Sequence, residues 1–346
     1  MLTIRMMATL LAAALGAATV WTAPAQAQAD APAYTLVKTV PLGAPDRWDY
    51  LSFDAADKRV YIAHGGETTV VDGRSGAIIG QVHAGGEGHG VVVLTALGRG
   101  YADNSDPSQV IVFDLATLRV LKTIALKAAD ADAMAYDPVS GHVYVIGGDS
   151  GVATAIDPKQ NRVLAAVTLG SPAESAVADG HGSLFVNLVE KRQIARIDTA
   201  SNRIVARWSI AGCQAPHGLA IDAVHAHLFA TCHNNRMLAI DARNGRVLAS
   251  LPIGSGSDAA AFDARRGIAF SSNRDGSLSM VAERGAHAFA AMPALMTAPG
   301  ARTMALDSDT GRLYLVTARV AQAAGADGHM RFVPGSAQLL IYDPVR

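Results

Sequence analysis

Short apolar runs alternate with polar turns along most of the chain, and the alternation itself recurs. One unit reads two apolar residues, Asp, a turn, Gly or Asn, often a basic residue, then apolar residues again. It appears as VVDGRSGAII, VFDLATLRVL, AIDPKQNRVL, RIDTASNRIV and AIDARNGRVL, whose aspartates Asp72, Asp114, Asp157, Asp198 and Asp241 lie 41 to 43 residues apart. A second unit falls about halfway between. It runs from an apolar residue and Asp through a turn to a closing Tyr or Phe, as in FDAADKRVY, YDPVSGHVY, IDAVHAHLF, FDARRGIAF and LDSDTGRLY. ADGHGSLF is a shortened copy and VLTALGRGY keeps the spacing without the aspartate, which makes seven copies.

Each copy holds four runs of β-formers separated by Gly, Asn and Asp turns. Four strands in a repeat of about 42 residues predict a β-propeller blade, and seven copies predict an all-β, seven-bladed propeller. The last copy stops after its third strand, QLLIYDP (Gln338–Pro344), while YTLVKTVPLG (Tyr34–Gly43) matches the fourth strand of other copies. The N-terminal strand is therefore expected to complete the last blade, closing the ring and removing exposed strand edges. The last copy also carries an insertion, residues 318–337, rich in Ala and Gly. It reads first as a mobile surface loop, and alternatively as a lid over a site.

The start of the chain falls outside this pattern. Arg5, the apolar run Met6–Val20 and the small-residue stretch before Asp30 predict a signal peptide over residues 1–29, cleaved after Ala27 or Ala29. The remaining 30–346 is expected to be a single propeller domain, periplasmic or secreted, with no membrane span after cleavage. That mature chain has 28 basic and 30 acidic residues, a near balance that points away from nucleic acid and anionic lipid. A monomer is expected. Cys213 and Cys232 are the two cysteines. In an oxidising compartment they predict a disulfide, with a thiolate metal ligand or reactive thiol as the alternative.

With these units the chain resembles the YVTN/YncE-like seven-bladed β-propellers over essentially its whole mature length. The YVTN tetrapeptide itself is degenerate, reading LFVN at Leu184–Asn187 and LFAT at Leu228–Thr231. The resemblance implies the fold and, for many members, a binding platform. It implies little chemistry.

The candidate chemistry comes from one repeated position. His217 lies five residues before Asp222. The same offset in the other copies gives Asp49, His89, Asp132, Glu174, Asp258 and Arg302, so all seven are ionisable. The first strand of a blade lines the central tunnel, which predicts a ring of these residues at its mouth. A solvated funnel would use them to bind water. A ligand site would use Arg302 for a carboxylate. Carboxylates beside imidazoles could hold a divalent metal, with His217, Glu174 and Asp258 as the candidate ligands. The sequence requires no cofactor. A second ring is expected from the loops after each second strand, with His64, Asn104, Asn187, His233 and Asn273, and a Cys213–Cys232 bridge there would pin His217 and His233. Trp48 reads as rim packing. His225 and His227 fall in a turn on the opposite face and read as exposed. No HExxH, GxSxG, CxxC or CxxCH motif occurs. The expected function is an exported binding or scaffold protein that holds a small ligand, a metal ion or a protein partner on the funnel face. The alternative is an enzyme similar to propeller lactonases and cycloisomerases, with Glu174 or His217 as base.

Overall fold

The computed structural model describes residues 34–285, 287–322 and 330–345. The predicted leader, residues 1–29, and part of the insertion lie outside the described residues. Among the described residues, no helix is long and apolar enough to cross a membrane. Seven antiparallel sheets form a ring among the described residues, and the first six add strands in chain order from the axis outward. Blade 1, for example, runs Leu51–Asp54, Arg59–His64, Glu67–Asp72 and Ile78–His83. In the sixth blade the outermost position is shared by Phe289–Ala291 and Leu295–Met296, both paired to Ser277–Glu283. The seventh closes as the sequence predicts: the strand Tyr34–Pro41 pairs antiparallel with Gln338–Pro344, Tyr34 opposite Pro344 and Pro41 opposite Gln338.

The recurring aspartates explain why each turn forms. A short acceptor side chain can satisfy the turn's own N–H groups, which have no ladder partner. The Asp72 Oδ1 accepts from the backbone N–H of Arg74 (3.1 Å) and Ser75 (2.6 Å), and Asp263 does the same for Arg265 and Arg266. The closing aromatic of the second unit has a different task. Tyr61, Tyr101, Tyr144, Phe185, Phe229, Phe270 and Tyr314 are all fully buried. They pack between blades, and several hydroxyls reach the next blade. Tyr101 donates to Pro158 O at 2.9 Å, and Tyr314 closes the ring by donating to Gly73 O at 3.0 Å. A Cβ at Gly73 would stand 2.7 Å from that hydroxyl, so the contact requires glycine.

The insertion is docked where it is described. Val320–Gln322 and Arg331–Phe332 pair as a small ribbon. The Phe332 ring packs on Trp48 with centroids 5.1 Å apart. The Asp46 carboxylate accepts the N–H groups of Gly335, Ser336 and Ala337 at 2.6 to 2.8 Å. The described parts are thus fixed to the rim of blade 1, and Trp48 is the packing residue its sequence context suggested.

Candidate functional site

The first strands line the axis, as an axial cavity of about 220 Å³ shows: its walls come from all seven blades, among them Val91, Met134, Leu219 and Met304. The seven ionisable positions sit above it. In blades 3 to 6 the strand register slips at the ring position, around Asp132, Glu174, His217 and Asp258. A β-bulge re-aims its side chain, and here it occurs where each strand meets the mouth. The ring backbone is also tied blade to blade. Tyr50 N–H donates to His89 O (3.0 Å), Asn187 Nδ2 to His217 O (2.6 Å), Ser272 Oγ to Arg302 O (2.6 Å) and Thr303 Oγ1 to Asp49 O (2.8 Å).

The ring residues are not evenly spread. They condense into two histidine–carboxylate triads bridged by an arginine. His89 Nδ1 lies 2.7 Å from Asp49 and 3.4 Å from Asp132. His217 Nδ1 lies 3.4 Å from both Glu174 and Asp258. Arg302 donates from Nε to Asp258 at 2.5 Å and from Nη2 to Trp48 O at 3.3 Å. All seven side chains keep between 15 and 26% of their surface exposed. Each triad brings its three ligand atoms within 4.8 Å of one another, so each could hold a metal ion.

Burial and charge set the protons. Burial by itself would lower the His217 pKa, but the carboxylates of Asp258 and Glu174 outweigh it and raise it to about 10. His89 rises to about 9 against the same burial, through Asp49. Asp132 is pushed up to about 9, first by burial and then by the charges of Glu174 and Asp49, so it is neutral at pH 7. Asp258 stays below the usual carboxylate range despite burial, because His217 and Arg302 stand beside it. The mouth thus sets two imidazolium groups beside an ionised Asp258 and a neutral Asp132, while burial pushes Asp49 up as well.

Tyr50 is the functional-site residue that the sequence reading missed. It follows Asp49 and crosses the axis, its hydroxyl 3.3 Å from Glu174 Oε1 on the far side. Burial first, then the surrounding carboxylates, hold its pKa well above that of an ordinary phenol. A signal was available. The equivalent positions in the other copies are Gly90, Ala133, Ser175, Gly218, Ala259 and Thr303. One tyrosine among small residues has the room they leave.

The second ring does not form. His64, Asn104, Asn187 and Asn273 are fully buried. His64 is held by Thr69 Oγ1 (3.1 Å) and Pro45 O (2.6 Å), Asn104 caps the loop before His89, and Asn273 binds Ser277 and Ser279. The second strand of each blade is covered on both faces, so a polar residue near its end has no route to the mouth. His233 differs because it lies one residue beyond its strand. It is exposed, and its ring stacks on His217 with centroids 3.8 Å apart and planes 16° apart. Burial and the neighbouring His217 charge lower its pKa, which keeps it neutral. The Cys213–Cys232 disulfide is present, with an S–S distance of 2.00 Å. Beside it, His233 N–H donates to Gln214 O at 2.8 Å, so the bridge anchors the loop that carries the stacked imidazole. Ala215, between the bridge and His217, has φ 43°, a left-handed conformation costly for alanine. The exposed reading of the His-Ala-His turn holds for His225 only; His227 is buried.

Beside the triads the mouth opens into a pocket of about 290 Å³. Its walls include Asp49, His89 and Arg302 from the ring, and Met330 and Phe332 from the insertion. Arg47 and Glu87, joined as an ion pair, form its rim.

A seven-bladed β-propeller with an ionisable ring at one end of its axial tunnel is the class that fold and site define. A family model described as outer membrane protein assembly factor BamB matches residues 11–251, and the chain belongs to that β-propeller family. No curated protein sequence matches it. Among solved structures, a chain described as Kuenenia stuttgartiensis hydrazine synthase is similar at 14% identity and a TM-score of 0.67, over 85% of this chain and 96% of that one. At that identity the likeness is one of fold. Since 1836 solved chains match, the architecture is too widespread to carry a chemistry of its own.

Proposed function

We propose that this chain is an exported binding protein that seats a small polar ligand, best an organic anion, at the tunnel mouth. The observation that carries the reading is the pocket shared by the ring and the insertion. Its size is at the lower end for small-molecule sites, and its polar groups converge from separate elements onto one volume. Arg302 would take the anionic group and His89, protonated through Asp49, a second oxygen. Phe332 and Met330 supply the apolar wall, so the described part of the insertion covers one side of the pocket. Export is supported by the leader-like sequence over residues 1–29, by the disulfide, and by the envelope factor named in the family's description. Within that family, the YVTN/YncE-like units are the sequence feature that favours this subgroup.

The test is a thermal-shift and calorimetric screen of small carboxylates and phosphates against wild type and Arg302→Lys. Saturable binding that weakens in the variant supports the reading; no binding by wild type removes it.

A second reading has its own observation: the Glu174–His217–Asp258 trio has metal-ligand geometry. Elemental analysis of wild type beside His217→Ala tests it. One metal per chain, lost in the variant, is its expected result. In the enzymatic alternative, a lactonase-like reaction at the same mouth, Glu174 would act as base and Arg302 would hold the lactone. A lactone panel with Glu174→Gln and Arg302→Lys tests that version of the site.

A further inference from the structure

The face opposite the mouth carries a separate cluster. The turn between the first two strands of blade 5 presents Asp222, His225 and His227. The third strand of blade 6, Ser277–Glu283, ends beside it and delivers Glu283. His225 Nδ1 lies 2.5 Å from Asp222 Oδ2 and 3.4 Å from Glu283 Oε1, while His227 Nδ1 lies 2.8 Å from that same Oε1. Asp222, Glu283 and His227 are 4%, 4% and 2% exposed, and His225 is 57% exposed.

From this geometry we infer a second divalent-metal site, made by Asp222 Oδ2, His225 Nδ1 and Glu283 Oε1, with His227 orienting Glu283. Four observations support it. The three ligand atoms lie within 4.8 Å of one another. A tetrahedral zinc at about 2.0–2.1 Å from its ligands sets neighbouring ligand atoms about 3.3 Å apart, close to the 3.4 Å His225–Glu283 separation, whereas His225 and Asp222, hydrogen-bonded at 2.5 Å, would exchange that bond for the ion and move apart. The Glu283 carboxylate is buried and its Oε2 has no hydrogen-bond partner, and a buried carboxylate left half-paired is costly unless a positive charge comes to the group, which an ion on Oε1 would supply. Finally, Asp222 divides its oxygens. Its Oδ1 accepts the Val224 and His225 N–H groups, as aspartates do in other blades, which leaves Oδ2 aimed at the cluster.

The turn elsewhere does not look like this. At the positions of His225 and His227 the other full-length aspartate turns have Asp57 and Arg59, Ser140 and His142, Arg266 and Ile268, and Thr310 and Arg312. A turn needs only the aspartate; the paired histidines and the buried glutamate exceed what it requires. The mixed nitrogen and carboxylate set suits Zn²⁺ or a neighbouring first-row ion better than Ca²⁺. His227 is the outer-shell group: its Nδ1–H donates to the glutamate that binds the ion. His225, reaching in from solvent, leaves the remaining coordination positions to water.

The probe is zinc itself, on mature chain stripped with chelator and dialysed against Zn²⁺. The background is His89→Ala with His217→Ala, which takes both mouth triads out of the count. One zinc per chain is expected to remain. His225→Ala in that background should weaken it by more than about 100-fold, and His227→Asn by about 10–100-fold, the range for losing an outer-shell partner. No zinc on the His89→Ala, His217→Ala protein overturns the site, as does a zinc that His225→Ala leaves untouched. His225 is exposed, so its loss should not unfold the chain; circular dichroism checks this. The same loss of one metal is read between wild type and His225→Ala, should the mouth variant fold poorly. The mouth metal fails or stands separately, on the difference between wild type and His217→Ala.

Discussion

Removing the His217 imidazole should flatten the pH dependence of stability by about one proton. In the folded chain its pKa is raised to about 10; in the unfolded chain it returns to its ordinary 6.5. A pKa raised on folding stabilises fully below the unfolded value, and that stabilisation is lost as pH rises through the folded value. Between pH 7 and 9 the native state therefore holds one proton that the unfolded state lacks. Each pH unit then costs about 1.4 kcal/mol of stability, or about 3 kcal/mol across the window. His89 and Asp132, both held at about 9, add slope of the same sign, but they do so in both proteins. The difference between wild type and His217→Ala isolates the one group. With a urea m-value of about 3 kcal/mol/M, the wild-type midpoint should fall about 1 M further than the variant's from pH 7 to pH 9. Urea titrations followed by tryptophan fluorescence, with the disulfide intact, read this directly. Parallel midpoints across that range would refute the claim that His217 is an imidazolium held between Glu174 and Asp258.

Tyr50→Ala should cost about 3–5 kcal/mol in urea unfolding, since it empties the axis above the tunnel cavity. Tyr50→Phe should cost under about 1.5 kcal/mol, the worth of one hydrogen bond to Glu174. Cys213→Ser with Cys232→Ser releases a loop with a sequence separation of 19 and should lower stability by about 3 kcal/mol. The same loss should follow from reductant on the wild type and be absent in the double variant. Asp46→Ala removes the acceptor for three N–H groups of the insertion, so limited proteolysis within residues 318–337 should accelerate while the midpoint of global unfolding moves little.

The propeller was legible in the sequence because its repeated parts do repeated jobs. Each aspartate closes a turn, and each terminal Tyr or Phe fills the seam between blades. The ring was legible for a related reason: one offset, applied seven times, lands on seven ionisable residues. How those residues pair was not legible. That depends on bulges at Asp132, Glu174, His217 and Asp258, which no periodicity marks. The second ring failed on burial. Alternation along a strand tells inside from outside only when one face is wet, and the second strands have no wet face, so His64 and Asn273 became internal braces. His227 was misread for a similar reason, since its turn is exposed at His225 but covered two residues later by blade 6. Tyr50 was hidden because it interrupts a column of small residues, and a search for recurrence passes over the one copy that differs.

The pairing of Tyr34–Pro41 with Gln338–Pro344 has a consequence for how the chain can be cut. Tyr34 lies opposite Pro344, so the two ends of the described ring are already neighbours in one antiparallel ladder. Joined there by a short turn and opened instead between two other blades, the same residues could meet the same partners in a different order. Linear sequence would then be only one reading of a circle, whose seam happens to fall in the blade that also carries the insertion.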